Sequence, residues 1–237
     1  MDNSETPQFD AYSQVYSDLV DKSVRFSGQS TEFFHRVKID ALLRLVMKYL
    51  TPKEATIADV GCGTGSLSGL LIPHVKAVFG TDISSACVER AQRRIRGGQF
   101  KVYDGTTLPY EQNSVDLAMT SCVMHHVPPA NWKSFTLEMS RIVRPGGLVA
   151  VLEHNPWNPL TRFAVSTCEF DKDAVLLSRG QTKKLMQDAG LEIIEQVFIL
   201  FFPWDLAFLR RVEQRLVAIP LGAQYIVIGR KPRQIDC

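Results

Sequence analysis

"ATIADVGCGTGS", residues 55–66, decides how this chain folds. Ala55 to Val60 is mostly apolar, and three glycines follow among small residues, at Gly61, Gly63 and Gly65. A buried strand that runs into such a loop presents backbone to a ligand, because glycine removes the Cβ that would hold the ligand off. Gly65 also opens a helical pattern, whose free N–H groups favour a negatively charged group. A dinucleotide fingerprint G-x-G-x-x-G requires glycine at position 66, where Ser66 stands. The third glycine comes one residue early.

Outward from this loop the chain alternates. Residues 31–50 carry apolar side chains at helical spacing, closed by Thr51-Pro52. Strand patterns at 56–60, 76–81, 99–103, 115–120 and 148–153 alternate with helix patterns at 65–72, 84–95 and 130–143. Ser84 or Ser85 caps the second of these helices. Several strands are continuous apolar runs, as expected when helices cover both faces of a sheet. Pro145-Gly146-Gly147 reads as a sharp turn. Farther on, 158–168, 179–189 and 206–217 read as helices and 192–202 and 223–229 as strands that pair as an antiparallel edge. The expected fold is α/β, a doubly wound, mostly parallel sheet with right-handed crossovers. One domain is expected over 1–237: an arm and helices to 50, a binding core over 51–154, and substrate-side helices and strands from 155.

Bulk properties narrow the function. The chain has 237 residues, 45% of them hydrophobic, with a net charge of +2. That balance predicts neither a nucleic-acid clamp nor a membrane-surface binder. The basic clusters at 93–96 and 230–233 read as solvated element ends. Five cysteines without C-x-x-C spacing support neither a disulfide framework nor a zinc ribbon, so a reducing cytoplasm is expected. The acidic, polar start is not a secretory signal. The greasiest stretch, 197–209, is interrupted by Pro203 and Asp205 and is too short to span a bilayer.

The strand after the loop ends in Asp82, within "VFGTDIS", where a carboxylate accepts hydrogen bonds from vicinal ribose hydroxyls. The next ends in Asp104, within "VYDGTT". A small-residue loop with two acids on successive strand ends makes a nucleoside site without a phosphate clamp. No G-x-x-x-x-G-K-[ST] loop occurs, which disfavours ATP and GTP. "IADVGCGTGSLS", "FGTDIS", "VYDGTTLPYEQNSVDLAMTSCVMHHV" and "EMSRIVRPGGLVAVLEHN", in this order, resemble the class I S-adenosylmethionine-dependent methyltransferases from about Ala55 to Glu153.

The resemblance implies a seven-stranded sheet with an antiparallel last strand and S-adenosyl-L-methionine as cofactor, leaving as S-adenosyl-L-homocysteine. It implies that Asp59 and the backbone of Gly61, Cys62, Gly63 and Gly65 hold the methionine part. It assigns Asp82 to the ribose, Ile83 to the adenine face, Asp104 and Gly105 to the adenine amino group, and Ser121 to the sulfonium. An N-terminal tyrosine should cover the cofactor; Tyr16 is the expected one, with Tyr12 and Phe26 as rivals.

Methyl transfer is direct displacement at carbon, which requires alignment and exclusion of water. A base is needed only where the nucleophile must lose a proton. "CVMHHVPP" places His125 and His126 after the fourth strand, and "LEHNPWNPLTR" places Glu153, His154, Asn155, Asn158 and Arg162 after the fifth. His154 is the first candidate base and His126 the second. His125, Asn155 and Arg162 are candidate acceptor contacts. The alternative reading makes Asn158 a helix cap, Pro159 the first helical residue and Arg162 a surface charge. No metal is expected, since the histidine pair lacks a third ligand at recognisable spacing. Phe198, Phe201, Phe202 and Trp204 read as core rather than as an acceptor cavity.

The "HHV" and "RPGG" segments are similar to methyltransferases of quinone, lipid and secondary metabolism. A small-molecule acceptor is therefore expected, with oxygen as the methylated atom and carbon or nitrogen as alternatives. No nucleic-acid partner and no membrane span are expected, and the chain is a monomer or homodimer. An RNA or protein methyltransferase, a non-catalytic S-adenosylmethionine-binding module and a nicotinamide dehydrogenase are the rival readings.

Overall fold

The computed structural model describes Lys22 and residues 27–204 and 206–233. Tyr12, Tyr16 and Phe26 lie outside the described residues. Seven strands form one sheet: β1 (Thr56–Val60), β2 (Ala77–Asp82), β3 (Gly98–Val102), β4 (Val115–Ser121), β5 (Val143–His154), β6 (Glu192–Ile199) and β7 (Gln224–Arg230). Their spatial order is β3-β2-β1-β4-β5-β7-β6. Neighbours pair in parallel from β3 to β5, and β7 runs antiparallel to both β5 and β6. The expected antiparallel pair is present, with β7 inserted beside β5 and β6 at the edge.

Helices α1 (Thr31–Val46), α2 (Ser66–Leu71), α3 (Ser85–Arg94), α4 (Trp132–Ile142), α5 (Pro159–Thr167), α6 (Arg179–Asp188) and α7 (Ala207–Leu216) flank the sheet. Local chemistry sets their starts. Cys87 N–H donates to Ser84 Oγ at 3.1 Å, Thr161 N–H donates to Asn158 Oδ1 at 3.0 Å, and Ser178 and Gln181 cap each other reciprocally at α6. Asn158 is thus a cap and Pro159 opens α5, as the alternative reading had it.

Strand β5 shows why apolar runs mark a doubly covered sheet. Leu148, Ala150 and Leu152 enter one core with Leu42, Leu117 and Met119, while Val149 and Val151 enter the other with Met139, Ala118 and Val227. Successive side chains point to opposite faces, so both faces must be apolar. Each fully buried aliphatic side chain contributes about 1.5–3 kcal/mol.

Two expectations are corrected. Pro145-Gly146-Gly147 lies inside β5 as a bulge: Val143 pairs with Val115, and the register resumes at Leu148 opposite Leu117. The extra β5 residues are accommodated without leaving the sheet, and Pro145, which lacks an N–H, suits an interruption of the ladder. Strand β6 stops at Ile199 rather than 202. Leu200 adopts φ 61°, and the N–H groups of Phe201 and Phe202 donate to Glu213 Oε1 on α7 instead of to a strand.

Candidate active site

The carboxyl ends of the strands carry two differently built regions. At the first, β1 ends in the glycine loop. Gly61 and Cys62 N–H both donate to Thr81 O, at 2.7 and 3.0 Å, which seats the loop on β2. Gly61 sits at φ +75°, and a Cβ there would lie 2.4 Å from Val123 Cγ2, so this loop packs against the segment that follows β4. A Cβ at Gly63 would meet nothing within 4 Å. Gly63 therefore presents bare backbone to open space, and its N–H donates to Asp82 Oδ2 at 2.8 Å.

Asp82 Oδ1 accepts from Ser84 N–H at 3.0 Å, so this carboxylate ties loop and helix start together. Asp59 is buried beneath the loop and accepts from Ser68 Oγ at 2.6 Å. Burial pushes its carboxyl up to about 6, against the lowering by Ser68 and with a smaller push from Asp82. The Cys62 side chain packs with Val88, Ala91 and Phe100 away from solvent, so this residue offers a ligand its backbone only.

Asp104 is exposed, and its Oδ1 accepts from the N–H groups of Thr107 and Thr106, each at 2.8 Å. Those two bonds hold its carboxyl below the usual carboxylate range. Ile83 and Val102, with much of their apolar surface exposed, stand beside it, and a Cβ at Gly105 would lie 3.6 Å from Ile83 Cγ2.

The second region lies at the ends of β4, β5 and β7. Ser121 closes β4, and Cys122 turns with φ 56°. The 3-10 turn Met124–His126 is pinned by Trp132 Nε1, which donates to Met124 O and Val127 O at 2.9 Å. Glu153 is buried at the end of β5. Its Oε1 accepts from Val123 and Met124 N–H at 2.9 and 2.8 Å, and its Oε2 lies 2.7 Å from His125 Nδ1. Burial pushes Glu153 up, but the His125 charge and hydrogen bond outweigh it and hold the carboxyl near 2. Burial likewise pushes His125 down, and Glu153 with Asp171 reverses it, up to about 10.

Asp171 comes from the turn Glu169–Asp171, brought here by Val175 N–H donating to His125 O at 2.8 Å. Its Oδ1 lies 3.2 Å from His126 Nε2 and 3.6 Å from His125 Nε2. His126 is held below the usual histidine range chiefly by burial. His154 stacks obliquely on His125, ring centroids 5.0 Å apart, and its Nδ1 lies 3.3 Å from Gln224 Nε2. Lys38, buried on α1, donates to Cys122 Sγ at 3.1 Å and to Ser121 Oγ at 3.4 Å. Burial pushes the Cys122 thiol up, yet His154 and Lys38 bring it down to about 6.

The structure thus gathers Ser121, His125, His126 and His154, and separates the other expected acceptor contacts. His125 is only 2% exposed, with Glu153 beside its Nδ1 and Asp171 beside its Nε2. Asn155 is fully buried: its amide donates to Pro220 O and Gly222 O, and its Oδ1 accepts from Trp157 N–H. Arg162 lies exposed on α5. Phe198 belongs to the core, and Trp204 is exposed.

Lys38, Cys122, Asp171 and Gln224 were not foreseen. Lys38 had a signal, because it falls between Phe34, Ala41, Leu42 and Leu45 on the apolar stripe of α1. Asp171 and Gln224 had none, as their roles come from contacts across the fold.

Residues 57–147 match the family model described as "Methyltransferase domain". An uncharacterised methyltransferase of Synechocystis sp. is 27% identical over 158 residues, which cover 64% of this chain and 71% of that protein. A tRNA (carboxymethyluridine(34)-5-O)-methyltransferase of Arabidopsis thaliana is 32% identical over 124 residues, 52% of this chain and 28% of that one. Among solved structures, a SAM-dependent methyltransferase of Thermotoga maritima, described as a possible histamine N-methyltransferase, superposes with TM-score 0.68 at 23% identity. It covers 94% of this chain and 98% of its own.

Proposed function

We propose that this chain, which belongs to the class I S-adenosylmethionine-dependent methyltransferases, methylates a hydroxyl oxygen of a small-molecule acceptor. The first region fits the cofactor: bare backbone at Gly63, the Asp82 carboxylate, and the exposed apolar surfaces of Ile83 and Val102 suit an amino-acid chain, a ribose and a flat base. When bound, S-adenosylmethionine supplies a methyl activated on a sulfonium sulfur. In this reading Asp59 and the loop hold the amino-acid end, Asp82 the ribose, Ile83, Asp104 and Gly105 the adenine, and Ser121 lies beside the sulfur.

The observation that carries the oxygen reading is the set of acid–base side chains packed against the glycine loop through Val123. His154, braced by Gln224 and His125, takes the acceptor's hydroxyl proton. A hydroxyl must lose its proton as the new C–O bond forms, which calls for such a base. Replacing His154 with alanine is expected to lower turnover about 10²–10⁴-fold with little change in cofactor affinity. Equal loss of both, or of neither, removes it as the base.

The test is incubation with labelled S-adenosylmethionine and parallel panels of hydroxylated, amine-bearing and carbon-acid small molecules, with tRNA as a further arm. Release of S-adenosylhomocysteine with the label on oxygen supports the proposal. Label on nitrogen or carbon corrects the atom. Label only on tRNA supports the second reading, favoured by the substrate named for the Arabidopsis relative. A net charge of +2, with Arg230 paired to Glu192, weighs for the small molecule, since RNA binding requires an uncompensated basic face.

A further inference from the structure

The geometry points to a divalent transition-metal site formed by His125, His126 and Asp171. Each residue offers one ligand atom, and the three atoms lie within 4.8 Å of one another. Metal–ligand bonds of about 2.0–2.1 Å in a tetrahedral site set donor–donor separations of about 3.3 Å. The observed separations from Asp171 Oδ1, 3.2 Å to His126 Nε2 and 3.6 Å to His125 Nε2, bracket that value.

Two independent features support the assignment. Asp171 is only 8% exposed, and its buried Oδ1 receives no hydrogen bond among the described residues. An anionic oxygen left in this state requires a positive partner, either a cation held between it and the two Nε2 atoms or a proton on His125. Second, His125 Nδ1 faces Glu153 Oε2 at 2.7 Å, and Glu153 is itself held by the backbone N–H groups of Val123 and Met124. That carboxylate fixes the ring so that Nε2 points at Asp171, an arrangement typical of metal-bound histidines. Two imidazoles and one carboxylate select zinc, iron, cobalt or nickel over magnesium or calcium.

The His126 side chain is 17% exposed and gives the cation a way in. If the methyltransferase reading is right, on which this step rests, the remaining coordination positions take an acceptor oxygen and lower the pKa of its hydroxyl.

The test uses the full chain stripped with a chelator, its fold checked by circular dichroism, and titrated with Co2+ while the visible absorption is followed. The expected result is one saturable Co2+ per chain, displaced one for one by Zn2+. Asp171→Asn and His126→Gln should each weaken Co2+ binding at least tenfold, measured on metal-free chains that circular dichroism shows to be folded. No saturable absorption, or saturation unchanged in both variants, overturns the site; in that case a proton on His125 bridges the two carboxylates. S-adenosylmethionine binding is measured calorimetrically on the same metal-free chain. Cofactor bound with no metal site defeats this inference alone. A metal site with no cofactor bound defeats the methyltransferase reading alone.

Discussion

The glycine-loop region and the histidine region sit at the same edge of one sheet and are built on opposite principles. In the first, the decisive contacts are short in sequence: Gly63 reaches Asp82, 19 residues on, and Asp104 reaches Thr106 and Thr107. Backbone N–H groups do most of the work, and Asp104 and Ile83 stay in contact with water. In the second, side chains far apart in the chain meet in the interior: Lys38 with Cys122, 84 residues on, and Cys122 with Gln224, 102 residues on. Charges there are desolvated, so each shifts its neighbours strongly. A berth for a ligand can be made of local backbone geometry. A set of acid–base groups needs the whole fold to hold charges out of water.

The contrast is broken most sharply at Glu153, the hub of the buried region. Glu153→Gln leaves His125 beside Asp171 without its carboxylate partner and is expected to cost about 3–5 kcal/mol by urea denaturation at pH 7. The wild-type contribution is present above the ordinary glutamate range and lost as pH falls through about 2, because the folded value is depressed. A loss under 1 kcal/mol would mean that the cluster is solvated after all.

Within the loop, Gly61 and Gly63 should behave unequally. Gly61→Ala meets Val123 at 2.4 Å in a left-handed backbone and should cost about 2–4 kcal/mol. Gly63→Ala, with open space around it, should cost about 1 kcal/mol of stability but markedly weaken cofactor binding. Equal melting temperatures for the two variants would contradict this packing.

Asp59 crosses the contrast, being a buried charge in the backbone-built region. Its folded value, about 6, lies above the usual 3.8. The stability it contributes is therefore complete below the unfolded value and is lost as pH rises through about 6, a change of about 2–3 kcal/mol. Melting curves of Asp59→Asn should lack this slope between pH 4 and 6 and should exceed wild type at pH 8. At Asp82, alanine should weaken cofactor affinity by about 1–3 kcal/mol in calorimetry. Unchanged affinity would place the ribose elsewhere.

Legibility follows the same division. The strand before the loop, the loop itself, the caps at Ser84 and Asn158, and the doubly apolar β5 were readable, because each rests on residues within a few positions of one another. His125, Asn155 and Arg162 were read from proximity to strand ends; the fold buries the first two and leaves Arg162 exposed on α5. The bulge at Pro145 read as a turn because Pro-Gly-Gly carries the same local chemistry in either setting. Asp171 lies 45 residues beyond His126, on a turn with no periodicity, so nothing along the chain tied it to the histidines.

What the sequence determined by itself is the alternation of strands and helices, the order in which they wind, and a glycine loop followed by acids at two strand ends. These depend on side-chain period, on the steric freedom of glycine and on hydrogen bonds of short reach. Only the tertiary structure decided which charges lose their water and which side chains meet: Glu153 with His125, Asp171 with the histidine pair, and Lys38 with Cys122. The electrostatics of a group depend on distance and dielectric, and both are properties of the packed chain rather than of its order.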